Sequence, residues 1–166
     1  MQTKLEHPTE KSHRLPRENY QGEVTTAFTL CVADKKSLFQ DPAVVNDFVK
    51  ILITALENSN CLAPVYCFMP DHLHIILTGT EPQADLWKTI VTFKQKTGHW
   101  LSRNMPTVRW QKDFYDHIIR TEKTIATQVR YVLDNPVRKG LVSSWQEYPH
   151  EGAIGCSLDD VLIGII

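Results

Sequence analysis

The chain has 166 residues, 42% of them hydrophobic and 22% charged, with 18 Lys and Arg against 19 Asp and Glu. One domain of this size can bury a core without disulfides or metals, and the composition excludes collagen-like, low-complexity and largely disordered chains. No apolar run approaches the roughly 20 residues of a membrane helix, and residues 1–8 lack the apolar stretch of a secretory signal. Cys31, Cys61, Cys67 and Cys156 form no C-x-x-C pair, so reduced thiols in a cytoplasm are expected rather than a disulfide framework or zinc site.

The formal net charge of −1 conceals a division. From Trp87 to Gly140 there are eleven basic and four acidic residues, a net of +7, while the remainder carries −8. Fields in salt are local, screened over about 8 Å, so a polyanion meeting this segment meets a basic surface. Scattered solvated Lys and Arg would give the same count.

Residues 1–20 are polar and aperiodic and read as a mobile arm. Val24–Ala33 is rich in β-branched and apolar residues and predicts a strand. Asp41-Pro42 is an N-cap followed by proline at the first helical position. Val44, Val45, Phe48, Ile51, Leu52, Ala55 and Leu56 follow at helical spacing. Leu62–Phe68 and His72–Thr78 predict a hairpin about Met69-Pro70-Asp71. Helical periodicity returns from Pro82 and ends before Pro106. Phe114–Arg120 predicts a fourth strand, and Thr121 caps a last helix ending at Asn135-Pro136. The order β-α-β-β-α-β with an added C-terminal helix is an α+β, ferredoxin-like arrangement, expected as an antiparallel sheet covered by helices on one face. The body is expected over residues 21–150, with residues 151–166 as an apolar tail docked on it.

His72-Leu73-His74 carries the strongest chemical signal. In a strand, residues i and i+2 leave one face, so the two imidazoles project together while Leu73, Ile75 and Leu77 face the core. Such a pair can share one divalent cation, although an H-x-H taken alone also suits the wet face of an amphipathic strand. In the last helix Val129 and Val132 form the buried stripe, and Tyr131 and Asn135, at i and i+4, share a flank. A phenol one turn from a carboxamide can place a nucleophile beside a metal ligand. Equally, a boundary tyrosine can serve packing and an Asn-Pro can merely end a helix.

Three blocks stand in order: Met69-Pro-Asp-His-Leu-His74, Trp110-Gln-Lys-Asp-Phe-Tyr-Asp-His-Ile-Ile-Arg120, and Tyr131-Val-Leu-Asp-Asn-Pro-Val-Arg-Lys-Gly-Leu-Val142. Together they resemble the IS200-like single-tyrosine HUH transposases, and among these the REP-associated tyrosine transposases, over about residues 14–150. The resemblance implies that His72 and His74 are metal ligands, that Tyr131 is the nucleophile, and that Asn135 completes the site for Mg²⁺ or Mn²⁺. Asn135 stands where insertion-sequence relatives usually have the longer Gln, and Asp71 where many have Asn, a turn position expected to tolerate the change.

The chemistry suits these residue types. A phenol with a pKa near 10 is a poor nucleophile until its oxyanion is stabilised, and a divalent ion can polarise the scissile phosphate for in-line attack. The substrate implied is single-stranded DNA beside a hairpin. Lys88, Lys94, Lys96, Arg103, Arg109, Trp110, Arg120, Arg130 and Arg138 offer cations and an aromatic ring for phosphates and unpaired bases, and Arg14 and Arg17 in the arm add contacts. The Asn-Pro after the tyrosine resembles the group acting as monomers, with a dimer as the alternative. The rivals are a domesticated DNA-binding module without transposition and a small H-x-H hydrolase.

Overall fold

A computed structural model describes residues 15–165. Five strands form one antiparallel sheet: β1 (Thr25–Cys31), β2 (Cys61–Met69), β3 (His72–Gly79), β4 (Tyr115–Ile119) and β5 (Glu151–Ile154), in the order β4-β1-β3-β2-β5. With α1 (Pro42–Glu57), α2 (Leu86–Asn104) and α3 (Glu122–Leu133), this is the ferredoxin-like α+β order with a helix added after β4. Two short helices, α4 (Asn135–Arg138) and α5 (Leu158–Leu162), follow.

Of the two predicted caps, that of Asp41 forms, whereas Thr121 stands at the N-cap of α3 without a side-chain cap hydrogen bond, and Asp85 supplies a cap that was not predicted. Asp41 accepts a hydrogen bond from the Ala43 amide at 2.9 Å with Pro42 opening α1, and Asp85 accepts from the Lys88 amide at 2.9 Å. The latter starts α2 at Leu86, later than Pro82. Leu30, Leu73, Ile75 and Leu77 from the sheet meet Val45, Phe48, Leu52, Ile90 and Phe93 from α1 and α2 in the larger core.

The helices do not all lie on one face. Val65, Cys67, Met69 and Ile76 point to the opposite side and are covered by Val129, Val132 and Leu133 of α3, joined by Val161 of α5. Both faces of β2 are therefore buried, and the sheet is sandwiched. The helix α3 ends where expected, before Asn135-Pro136, but a further helical turn follows. The backbone breaks after Leu133 and resumes as α4, because Pro136 sits in the first turn, where its missing amide costs nothing.

The expected ends also shift. Residues 1–14, including Arg14, lie outside the described residues, but Arg17–Tyr20 form a 3₁₀ turn and Tyr20 is wholly buried. Its hydroxyl donates to Asp116 Oδ2 at 2.6 Å, so the body begins before residue 21. Close approach of this segment explains a glycine: a Cβ on Gly79 would lie 2.0 Å from the Gly22 carbonyl oxygen. At the other end, Glu151–Ile154 pairs with β2 as the sheet's edge. The segment from 151 onward is thus part of the fold rather than a tail.

Candidate active site

His72 and His74 leave β3 on the face covered by α3, because Ile76, two residues further along the same face, belongs to the core beneath that helix. Their Nε2 atoms converge to 3.0 Å, with the rings nearly perpendicular at 88°. The outer nitrogens are held from behind. Asp71 Oδ1 lies 2.6 Å from Nδ1 of His72, and Thr29 Oγ1 lies 3.0 Å from Nδ1 of His74. The second contact follows from register, since Thr29 on β1 pairs with His74.

Burial first, then the neighbouring His72 and the positive charge of Arg138, push the pKa of His74 down to about 3. His74 is accordingly neutral at physiological pH, the form in which imidazole binds metals. Two imidazole nitrogens directed at one point can, as acceptors, suit a divalent cation, since nitrogens about 2.1 Å from one ion at a right angle would stand roughly 3.0 Å apart. The donor set fits such an ion. Among the described residues no cluster of three or more His, Cys, Asp or Glu could hold a metal.

The α3 helix carries Tyr131 to the same face of the sheet. Val129, Val132 and Leu133 are buried, whereas the Tyr131 side chain projects outward at 57% exposure. Asn135 is buried where α3 passes into α4. Its Nδ2 donates to the carbonyls of Tyr131 and Val132 at 3.4 and 3.3 Å, and its Oδ1 accepts from Arg138 Nη2 at 2.9 Å. One acceptor site of the proposed ligand oxygen is therefore already used. Arg138 Nη2 also donates to the Tyr131 carbonyl at 3.0 Å, and the guanidinium lies 4.0 Å from the centre of the Tyr131 ring.

The expected DNA contacts divide. Trp110 is 9% exposed, packs among Phe39, Phe48 and Phe93, and donates its indole N–H to Thr97 Oγ1 at 2.8 Å. It is a core residue and cannot stack on a base. The Lys94 ammonium donates to the carbonyls of Gln111, Lys112 and Asp113 at 2.7, 3.1 and 3.4 Å, bracing that loop. Arg17 pairs with Asp85 at 3.2 Å beside the Trp87 ring. Arg130 donates to the Leu162 carbonyl at 2.6 Å. Lys88, Lys96, Arg103, Arg109 and Arg120 are exposed.

Sequence reasoning missed the partners behind the site. Asp71 was read as a turn residue only, and Thr29 could be found only from the β1–β3 register. It also missed Glu151, which faces Cys67 across the β2–β5 ladder in the same row as His74 and Thr29. Both its carboxyl oxygens are buried, and its pKa is pushed up to about 8, chiefly by burial and further by Asp134, against the opposing effect of the neighbouring Cys67 thiol.

Among known proteins, the family model described as Transposase IS200 like matches residues 21–135. A Haemophilus influenzae protein provisionally named REP-associated tyrosine transposase is 26% identical over 148 residues, covering 80% of this chain and 83% of that protein. The REP-associated tyrosine transposase of Escherichia coli K12 is 33% identical over 84 residues, or 49% of this chain and 47% of that one. A solved REP-associated tyrosine transposase bound to a REP hairpin shares the fold, with a TM-score of 0.71 at 22% identity, covering 86% of this chain and 82% of that one. The span matched by the family model begins just before β1, ends at Asn135, and takes in both histidines and Tyr131: the chain belongs to the IS200-like transposase family.

Proposed function

We propose that the protein cleaves and rejoins single-stranded DNA next to hairpins, with Tyr131 as nucleophile and His72, His74 and Asn135 as the metal-binding residues. The observation that carries this reading is the convergence of the two Nε2 atoms on the face of the sheet that α3 covers.

A bound Mg²⁺ or Mn²⁺ supplies Lewis-acid polarisation of a non-bridging oxygen of the scissile phosphate. The chain's own residues do the rest. Asp71 and Thr29 fix both imidazoles with Nε2 facing the substrate, and Val129, Val132 and Leu133 anchor the helix from which Tyr131 projects. The phenol oxygen attacks phosphorus as its proton leaves to solvent. The new P–O bond to Tyr131 forms as the bond to the 3′ oxygen breaks, and that oxygen takes up a proton. A 5′-phosphotyrosine and a free 3′-OH result. Because the ester bond is conserved, a second 3′-OH can reverse the step and join strands without a nucleotide cofactor.

The chain's likeness to a transposase solved with a REP hairpin supports hairpin DNA as the partner. Packing of α3 on its own sheet supports Tyr131 acting in its own chain, as a monomer. No helix among the described residues is long and apolar enough to cross a membrane.

The test is incubation with end-labelled single-stranded hairpin DNA and Mn²⁺, followed by denaturing electrophoresis. The wild type is expected to form a covalent adduct and Tyr131→Phe none. An adduct with the Phe variant, or fragments released without any adduct, overturns the mechanism. Salt-sensitive binding without cleavage would identify a binding module instead.

A further inference from the structure

The guanidinium of Arg138 meets the Tyr131 ring, the Tyr131 carbonyl and the Asn135 side chain. It is the last residue of α4, and an arginine at a helix end often does no more than satisfy orphan carbonyls. Its bond to the Tyr131 carbonyl fits that role. Its contacts with the Tyr131 ring and with Asn135 Oδ1 do not.

A guanidinium has five N–H donors in a rigid plane. Nη2 makes the two bonds to Tyr131 and Asn135, and no hydrogen bond from Nε or Nη1 to any described residue is formed. These donors sit on an exposed side chain beside the nucleophile's ring. A phosphate attacked by Tyr131 must enter that space.

We propose that Arg138 is a catalytic residue: with Nη2 locked to the α3–α4 junction, a remaining N–H donor on Nε or Nη1 hydrogen-bonds a non-bridging oxygen of the scissile phosphate and stabilises the charge that builds there during attack. The assignment rests on the reading of Tyr131 as nucleophile. Negative charge spreads over the phosphoryl oxygens in the transition state, and a cation fixed beforehand by hydrogen bonds to the backbone and Asn135 needs no reorganisation when it forms. A guanidinium can keep its anchoring bonds through Nη2 and still offer another planar N–H to phosphate, an arrangement the point charge of lysine cannot reproduce.

The experiment measures single-turnover adduct formation with single-stranded hairpin DNA and Mn²⁺, at rising DNA concentration, for wild type, R138Q, R138K and R138A. R138Q is expected to lower the maximal rate about 10²-fold, while binding loses one phosphate contact and its salt slope falls by about 1. R138K should restore binding but not the rate, and low concentrations of guanidinium chloride should restore part of the rate to R138A. A wild-type maximal rate in R138Q, or a deficit that saturating DNA removes, overturns the role of Arg138 alone. A deficit shared with a lowered melting temperature and untouched by guanidinium reduces it to a structural cap. If the wild type forms no adduct, this assignment and the reading beneath it both fall.

Discussion

Replacing Asp71 tests whether the histidine pair is built for a metal. Its carboxylate lies 2.6 Å from Nδ1 of His72, with side-chain exposures of 34% and 20% for Asp71 and His72. The bond fixes the ring so that Nε2 faces His74. Removal of such a partner typically weakens metal binding 10–100-fold, about 1.4–2.7 kcal/mol. Because a third of the Asp71 side chain meets solvent, water can replace part of what alanine removes, so Asp71→Ala should fall near the lower limit, about tenfold. Asn keeps a neutral acceptor at the same distance. Charge-assisted hydrogen bonds are about twice as strong as neutral ones, so Asp71→Asn should lose about half that free energy, or about threefold in affinity. Calorimetric titration with Mn²⁺ reads both values directly, with melting of the metal-free proteins as the control for folding. An Asp71→Ala variant that binds Mn²⁺ like the wild type, or binds it more tightly than Asp71→Asn, refutes the role given to this carboxylate.

Glu151 makes stability depend on pH. Its carboxyl is protonated in the folded chain up to about pH 8 but ionises near its ordinary value when unfolded. The unfolded state then binds fewer protons, and stability present at low pH is lost as pH rises toward 8. Glu151→Gln should flatten that decline in denaturant titrations and raise stability above pH 8 by about 1–2 kcal/mol, after discounting for solvent screening; an unchanged pH profile would refute it. Trp110→Ala should cost about 3–5 kcal/mol, as for other buried aromatics, read as a lowered denaturant midpoint. Weaker DNA binding at unchanged stability would instead restore Trp110 as a base-stacking residue.

The residues that could be read early were those governed by local periodicity. The H-x-H pair had to share a face whatever lay above it, and the Val129–Val132 stripe had to be the buried side of α3. The face on which α3 would land is a long-range matter, because a sheet offers two. A signal was nevertheless present in β2. Residues 63–69 are apolar almost without interruption, as befits a strand buried on both faces, rather than alternating as a one-sided sheet would require. The strand β5 carried no such signal. Glu151-Gly152-Ala153-Ile154 has little strand propensity, and Gly152 is there because a Cβ would meet the Tyr66 hydroxyl at 2.9 Å. The α3–α4 junction was hidden for a similar reason: Asn-Pro reads as a stop, and only the tertiary placement of Arg138 gives the next turn its purpose.

The segregation of charge in sequence does not carry over into one basic face. Lys88, Lys96 and Arg103 lie on the solvent side of α2, whose buried side belongs to the core on the far face of the sheet. Arg130, Arg138 and Lys139 belong to α3 and the turn after it, on the side of the histidines. A layer of packed secondary structure is about 10 Å thick, and the screening length is about 8 Å, so the α2 cations contribute little potential at the scissile phosphate. They can hold only DNA that continues around the edge of the sheet. Changing Lys88, Lys96 and Arg103 together to alanine should therefore leave the maximal rate of adduct formation intact, while the salt slope of binding falls by at most about 2, the counterions released by three contacts to a single strand. A loss of rate that persists at saturating DNA would show that these charges act at the site itself, and that the division of the basic segment by the sheet does not govern how the substrate is held.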